Sequence, residues 1–201
     1  VTNATDNVIL TASTNPGPST LSGTLSKAAI AGIATFNDIT LDKMANNYKI
    51  TAAFSGLTSA ISNFFNVTQA PATKLVWTNG SPDVVTNTCL GYRISSQDMF
   101  SNLANVVADT AVTLSGGSTF YSDAACSAAT NSFTILSGQN KTEAFFKAAS
   151  SGSLTFVAAA TGLTSGSYGV AVTAPVDQIQ LAGGYLHTCS LVNGRVKCWG
   201  Y

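Results

Sequence analysis

The chain repeats itself at a period that few architectures allow. Gly56-Leu57-Thr58-Ser59 returns as Gly162-Leu163-Thr164-Ser165, Val67-Thr68 returns as Val172-Thr173, and Val8-Ile9-Leu10 has a counterpart in Val112-Thr113-Leu114. The three offsets are 106, 105 and 104 residues. That spacing is one β-sandwich domain per period. Residue 1 then corresponds to about residue 105, so the first unit is expected to lack roughly 30 opening residues, two or three strands at ordinary spacing. With Val1 at one end and Trp199-Gly200-Tyr201 at the other, the chain reads as a fragment cut at both ends. Three blocks follow: an incomplete sandwich over residues 1–70, a complete one over 71–175, and the start of something else over 176–201.

Local patterning agrees with the period. Tyr48, Ile50, Ala52 and Phe54 alternate with Lys49, Thr51, Ala53 and Ser55. Such a strand puts one face in a core and one toward solvent. Ile33–Phe36 and Phe64–Val67 read as its partner strands. In the second block Leu75 and Trp77 open the domain, Leu154, Phe156, Ala158 and Ala160 repeat the Tyr48 strand, and Tyr168, Val170 and Val172 close it. Long helix-period runs are absent, so the fold class is all-β. Gln69-Ala70-Pro71-Ala72 is too brief a linker to be floppy, and the two units are expected to stack end to end with limited bending.

The last block is the richest in chemistry. It holds the only His, His187, with Cys189, Cys198 and Trp199. At its centre Asn193-Gly194 is the strongest short signal for a two-residue hairpin turn. Counted outward from that turn, Val192 faces Arg195, Leu191 faces Val196, Ser190 faces Lys197 and Cys189 faces Cys198. The Cys pair falls on a non-hydrogen-bonded rung, where Cα atoms lie about 4.5 Å apart, within the reach of a disulfide. A lone hairpin is marginal in water, so this one is expected to belong to a larger sheet that the chain does not reach.

Charge excludes whole classes of function. Nine basic residues balance nine acidic ones, and charged residues make up 9% of the chain. No basic stripe is available to hold nucleic acid phosphates. No apolar run approaches the roughly 20 residues of a membrane-spanning helix. Four cysteines, two already matched by register, point to an oxidising compartment. Cys89 and Cys126 lie 37 residues apart. A bridge between them would contribute about 3 to 4 kcal/mol by chain entropy. Spacing alone leaves open that both are unpaired core residues.

Two resemblances enter here. Leu21-Ser22-Gly23-Thr24-Leu25, Gly32-Ile33-Ala34-Thr35-Phe36-Asn37-Asp38-Ile39-Thr40-Leu41, Tyr48-Lys49-Ile50-Thr51-Ala52 and Gly56-Leu57-Thr58-Ser59-Ala60 resemble bacterial immunoglobulin-like repeats, which occur in tandem in large surface and secreted proteins. In the second block Asp98-Met99-Phe100-Ser101-Asn102 stands where such repeats commonly carry Asp, an aromatic, Gly and Asn, with Ser101 in place of the Gly. Phe120-Tyr121-Ser122-Asp123-Ala124-Ala125-Cys126 and Phe145-Phe146-Lys147 look like a Cys-containing branch, and that likeness implies pairing of Cys126 with Cys89. Gly184-Tyr185-Leu186-His187-Thr188-Cys189-Ser190-Leu191 and Gly194-Arg195-Val196-Lys197-Cys198-Trp199-Gly200 resemble the start of a repeat of the regulator of chromosome condensation family, a β-propeller. The resemblances imply an extracellular or surface-attached bacterial protein, and tandem sandwiches that act as a stalk presenting a propeller in adhesion. Neighbouring domains of the same chain, and a host or cell-surface protein or glycan, are the implied partners. The alternatives are a glycan- or protein-binding module and the accessory domain of a secreted enzyme.

No residue set is expected to catalyse a reaction, and no cofactor or metal is expected. His187 with Cys189 and Cys198 offers at most three zinc ligands, in a hairpin better suited to a disulfide. A Ser-His-Asp triad could use only His187. Asp38, Asp42 and Asp98 could bind Ca²⁺ between stacked domains, but turn-forming Asp is the commoner use. Trp77, Phe64-Phe65 and Phe145-Phe146 could stack on sugars, but strand aromatics usually fill a core. The sequons at Asn3, Asn66, Asn79 and Asn140 are what chance gives so Ser/Thr-rich a chain.

Overall fold

The computed structural model describes residues 6–116, 119–175, 180–183, 187–192 and 195–200. Every regular element among them is a strand. The first block contains β1 (Asn7–Thr14), β2 (Leu21–Ser22), β3 (Ser26–Ala28), β4 (Thr40–Leu41), β5 (Ala45–Ala53), β6 (Ala60–Ile61) and β7 (Phe65–Val67). The second contains β8 (Lys74–Asn79), β9 (Asp83–Val85), β10 (Leu90–Gln97), β11 (Thr110–Ser115), β12 (Phe120–Tyr121), β13 (Ser132–Ile135), β14 (Lys141–Phe146), β15 (Gly152–Ala160) and β16 (Leu163–Thr173). The tail holds β17 (Gln180–Gly183), β18 (His187–Val192) and β19 (Arg195–Gly200).

Strands β8 to β16, unit 2, form an immunoglobulin-like β-sandwich. One layer runs β12-β14-β10-β8 and the other β16-β15-β11-β13, with β9 parallel to β16. A single parallel pair, Thr164 with Lys74, joins the layers at one corner. Both layers feed one core: Leu75, Tyr92, Ile94, Phe120 and Phe146 from the first meet Val112, Leu114, Ile135, Phe156 and Val170 from the second. Strict alternation makes this possible, as in β15, where Phe156 and Ala158 are both fully buried. Four aromatic rings form its centre. Phe156 lies 4.6 Å from Phe146, 5.0 Å from Phe120 and 5.4 Å from Tyr92, each edge-on, the favoured geometry for aromatic pairs. Gly80 has φ +149°, and its missing side chain is what lets the Tyr92 ring lie against the backbone there.

Residues 6–70, unit 1, repeat part of this plan. Leu10 pairs with Ala52 as Leu114 pairs with Ala158. Tyr48 pairs with Phe65 as Leu154 pairs with Val170. Leu21 pairs with Leu41 as Phe120 pairs with Phe146. Its core is much thinner. Phe156, Ala158, Val170 and Val172 are at most 4% exposed. Their counterparts Ile50, Ala52, Phe65 and Val67 are only half-buried. In unit 2 the covering side chains, Leu75, Val84, Tyr92 and Ile94, belong to β8, β9 and β10. Among the described residues unit 1 has no equivalent of those three strands.

One expected strand is absent. Ile33–Phe36 is not extended against a neighbour. Ala31 and Gly32 both take positive φ, 51° and 79°, and reverse the chain so tightly that Ile30 bridges directly to Ile33. In the tail, β18 and β19 pair in the register counted outward from Asn193-Gly194, including Cys189 opposite Cys198. The turn residues themselves lie outside the described residues. A third strand, β17, adds to β18, so the tail is a three-stranded sheet and not a two-stranded hairpin.

Candidate functional site

A set of polar contacts between elements far apart in sequence lies where unit 2 meets unit 1. It is built on one short turn, Asp98–Asn102, which follows β10. Asp98 is fully buried. Its Oδ1 accepts from the Phe100 and Asn102 amides, both at 2.9 Å. Its Oδ2 accepts from the Ala70 amide at 3.1 Å and from Asn102 Nδ2 at 2.9 Å. The carboxylate thus folds its own turn and holds the linker that enters unit 2. The Asp98 amide donates back to the Asn102 carbonyl at 3.0 Å, which closes the loop. Ser101 takes φ 66°, the left-handed conformation that a Gly would adopt without strain. Ser101 thus holds the positive-φ position of the turn.

Asn102 faces the other way, into unit 1. Its Nδ2 donates to the Asp42 carbonyl at 2.9 Å as well as to Asp98, and its Oδ1 accepts from the Met44 amide at 3.2 Å. Both amide protons and the oxygen are used. Lys43 adds a reach in the opposite direction, with Nζ donating to the Phe100 carbonyl at 2.7 Å.

The receiving segment is itself fixed from behind. Ser19 Oγ donates to Asp42 Oδ1 at 2.8 Å and accepts from the Asp42 and Lys43 amides at 2.8 and 3.1 Å. The Thr20 amide also donates to Asp42 Oδ1, at 2.8 Å. Tyr48, fully buried, donates its hydroxyl to the Lys43 carbonyl at 2.7 Å. Two prearranged surfaces therefore meet, and neither must order itself on contact.

Electrostatics follow from these donors. Burial alone raises the Asp98 pKa, but the hydrogen bonds from Asn102, Ala70 and Phe100 outweigh it and hold the carboxyl below the usual carboxylate range. Ser19 and Thr20 do the same for Asp42. In the third acid of the set, Asp38 accepts from the Thr24 amide at 3.0 Å and from the Thr24 hydroxyl. Each of the three carboxylates considered for Ca²⁺ is thus engaged by protein donors, Asp98 within its own turn and Asp42 and Asp38 by the distant segment Ser19–Thr24. Of the three, Asp98 is the one bonded to the linker, through the Ala70 amide.

The remaining candidates are dispersed. Cys89 and Cys126 are bonded to each other, with Cα atoms 5.9 Å apart. Cys189 and Cys198 are bonded likewise, with Cα atoms 4.0 Å apart. Neither pair offers a free thiolate to a metal. The His187 side chain lies outside the described residues, as do Asn3 and the Asn193-Gly194 turn. Trp77 packs on Phe156, Tyr92 and Tyr168 at the core's edge and donates Nε1 to the Gly166 carbonyl at 3.2 Å. Phe146 is in the core and Phe65 stacks on Tyr48. Phe64 is the most exposed of these rings, with Lys49 Nζ 4.0 Å above it. These aromatics are spread over two units and form no common face.

Asn102 is the residue that sequence reading missed in its role. The Asp98–Asn102 motif was legible as a turn. Its partners were not, because Asp42 and Met44 contribute backbone groups that carry no mark in the sequence.

No protein-family model matches the chain, and no curated protein matches it. Solved structures are similar to it at low identity. A glycosyl hydrolase family 2 member from Bacteroides cellulosilyticus is 13% identical with a TM-score of 0.42, covering 84% of this chain and 22% of that one. The adhesin InvE of Yersinia pseudotuberculosis is 12% identical with a TM-score of 0.42, covering 94% and 58%. The D0-D1 domain of intimin is 13% identical with a TM-score of 0.35, covering 85% and 83%. The chain spans about a fifth of the length of the glycosidases it matches. The fold assignment rests on the chain's own strand order and core.

Proposed function

We propose that the chain is a non-catalytic spacer from the exterior of a bacterial cell, in which tandem immunoglobulin-like units hold a following domain, a β-propeller, away from the surface for adhesion. One observation carries this reading: the Asp98–Asn102 turn, which fastens unit 2 to a preformed seat on unit 1 through Asp42, Met44 and Ala70. A spacer transmits position only if its joints resist bending. A four-residue linker backed by side-chain hydrogen bonds from both sides supplies that resistance.

The exterior location is supported by the two disulfides, which persist where thiols are not kept reduced. The test is thiol trapping in the source cells: a membrane-impermeant alkylating reagent before lysis, then peptide mapping after it. All four cysteines should emerge as cystine. Free thiols at Cys89 and Cys126, alkylated only after lysis, would place the protein in a reducing compartment and end the proposal.

A further inference from the structure

One end of unit 2 gathers polar side chains around a hollow. In β12 and β14 the residues Phe120 and Phe146 enter the core, so their neighbours in sequence turn outward. Tyr121 and Lys147, the latter one step past β14, are two of these. Beyond Lys147 the chain turns through residues 148–151 into β15. Asn87 is fixed beside this turn, its amide donating to the Ala148 carbonyl at 2.7 Å. Between them lies a hollow of about 430 Å³, lined by Asn87, Tyr121, Lys147, Ser150 and Ser151, with Leu154 at its side. That volume falls within the range of small-ligand sites.

The lining combines three chemistries. The first is a cation. Lys147 is half-buried, and the ion pairs among the described residues, Lys27–Asp38, Lys43–Asp42 and Arg93–Glu143, leave its ammonium unpaired. Glu143, four residues back along the same strand, is held by Arg93 at 2.8 Å, so it does not neutralise Lys147. The second is a set of neutral donors and acceptors: the Ser150 and Ser151 hydroxyls and the Asn87 carboxamide, all on exposed residues. The third is an aromatic ring, Tyr121, half-buried and backed by the apolar Leu154 in the same hollow.

We propose that this hollow binds a hexuronic acid residue of a glycan. Lys147 pairs with the sugar carboxylate, the Tyr121 ring packs on the apolar C–H face of the pyranose, and Asn87, Ser150 and Ser151 take its hydroxyls. A bare anion would leave Tyr121 unused. A neutral sugar would leave Lys147 unpaired, and a peptide carboxylate would bring no hydroxyls. The site gives unit 2 a ligand of its own, which goes beyond the spacer reading. The hollow and the Asp98–Asn102 joint lie at opposite ends of β16, where Gly152 pairs with Val172 and Thr164 with Lys74, so the failure of one leaves the other standing.

The test is titration of the ¹⁵N-labelled full chain with methyl glucuronide, methyl glucoside and acetate, followed through amide shifts. Methyl glucuronide should shift the Asn87, Lys147 and Ser150 amides saturably, with Kd on the order of 1 mM, ordinary for a single sugar. Methyl glucoside and acetate should each bind about tenfold more weakly or worse, since each drops one of the two anchors. Lys147→Gln should bind the glucuronide no better than wild type binds the glucoside. Tyr121→Leu should weaken it about fivefold, with the buried amides of unit 2 keeping their shifts in both variants. The comparison of the three ligands on the wild type stands without either variant. Absence of saturation at about tenfold the expected Kd overturns the proposal. Acetate or methyl glucoside binding as tightly as the glucuronide overturns it too, as does unchanged binding by Lys147→Gln.

Discussion

Asp98→Ala lowers the stability of the chain by about 3 to 5 kcal/mol, one of the two largest effects expected of any change in it. The carboxylate is fully buried and accepts four hydrogen bonds, three from backbone amides. Truncation leaves those amides without acceptors. Each buried unsatisfied donor costs about 1 to 3 kcal/mol, and water admitted beside the exposed Met99 recovers part of it. Asp98→Asn keeps the volume but turns an NH₂ toward the Ala70 amide and the Asn102 carboxamide, so it rescues only the Oδ1 half. Urea denaturation of the three proteins should rank them wild type, Asp98→Asn, Asp98→Ala. A loss below about 1 kcal/mol for Asp98→Ala would mean that the turn is held by something else.

The same carboxylate sets an acid limit. Its native pKa lies below the ordinary value of 3.8. A depressed native pKa contributes stability above the unfolded value, and that contribution disappears as pH falls through the native one. The gap between wild type and Asp98→Ala should therefore be constant near neutrality and shrink below about pH 4.

The second large effect is at Cys89–Cys126. Opening this bridge, by reduction or by Cys89→Ser with Cys126→Ser, should cost about 4 kcal/mol, since it closes a loop of sequence separation 37. Asp123 has already shaped the loop that carries Cys126, by accepting from the Ala125 and Ala128 amides at 2.9 and 2.6 Å. The loop should stay folded when the bridge opens, and the loss should appear in the unit 2 transition alone. Calorimetry with and without reductant separates the two units. Cys189–Cys198 spans a separation of 9 and should contribute less, about 2 to 3 kcal/mol. An unchanged unit 2 transition under reductant would contradict the assignment of that bridge as its main staple.

The sandwich was legible because side-chain alternation and the period near 105 residues are both written in residue types. Phe156 and Ala158 sit in the core for the reason their alternation suggests. The tail register was legible because a two-residue turn leaves no freedom in counting. What stayed hidden is backbone chemistry. Nothing in Ile33–Phe36 marks it as non-strand except its neighbours Ala31 and Gly32, whose left-handed turn uses up the pairing groups of Ile30 and Ile33. β17 has only four residues, Gln180-Leu181-Ala182-Gly183, too few to carry a period. The joint was hidden for the same reason: Asn102 grips a carbonyl and an amide that any residue would offer.

Backbone residual dipolar couplings on the full chain test the central claim, a joint that fixes unit 2 on unit 1. Amides of β5 and of β15, weakly aligned in one medium, should fit a single alignment tensor, and Asn102→Ala should split it into two. Two tensors of different magnitude in the wild type would show units that swing freely about their linker, and the spacer reading would then be wrong.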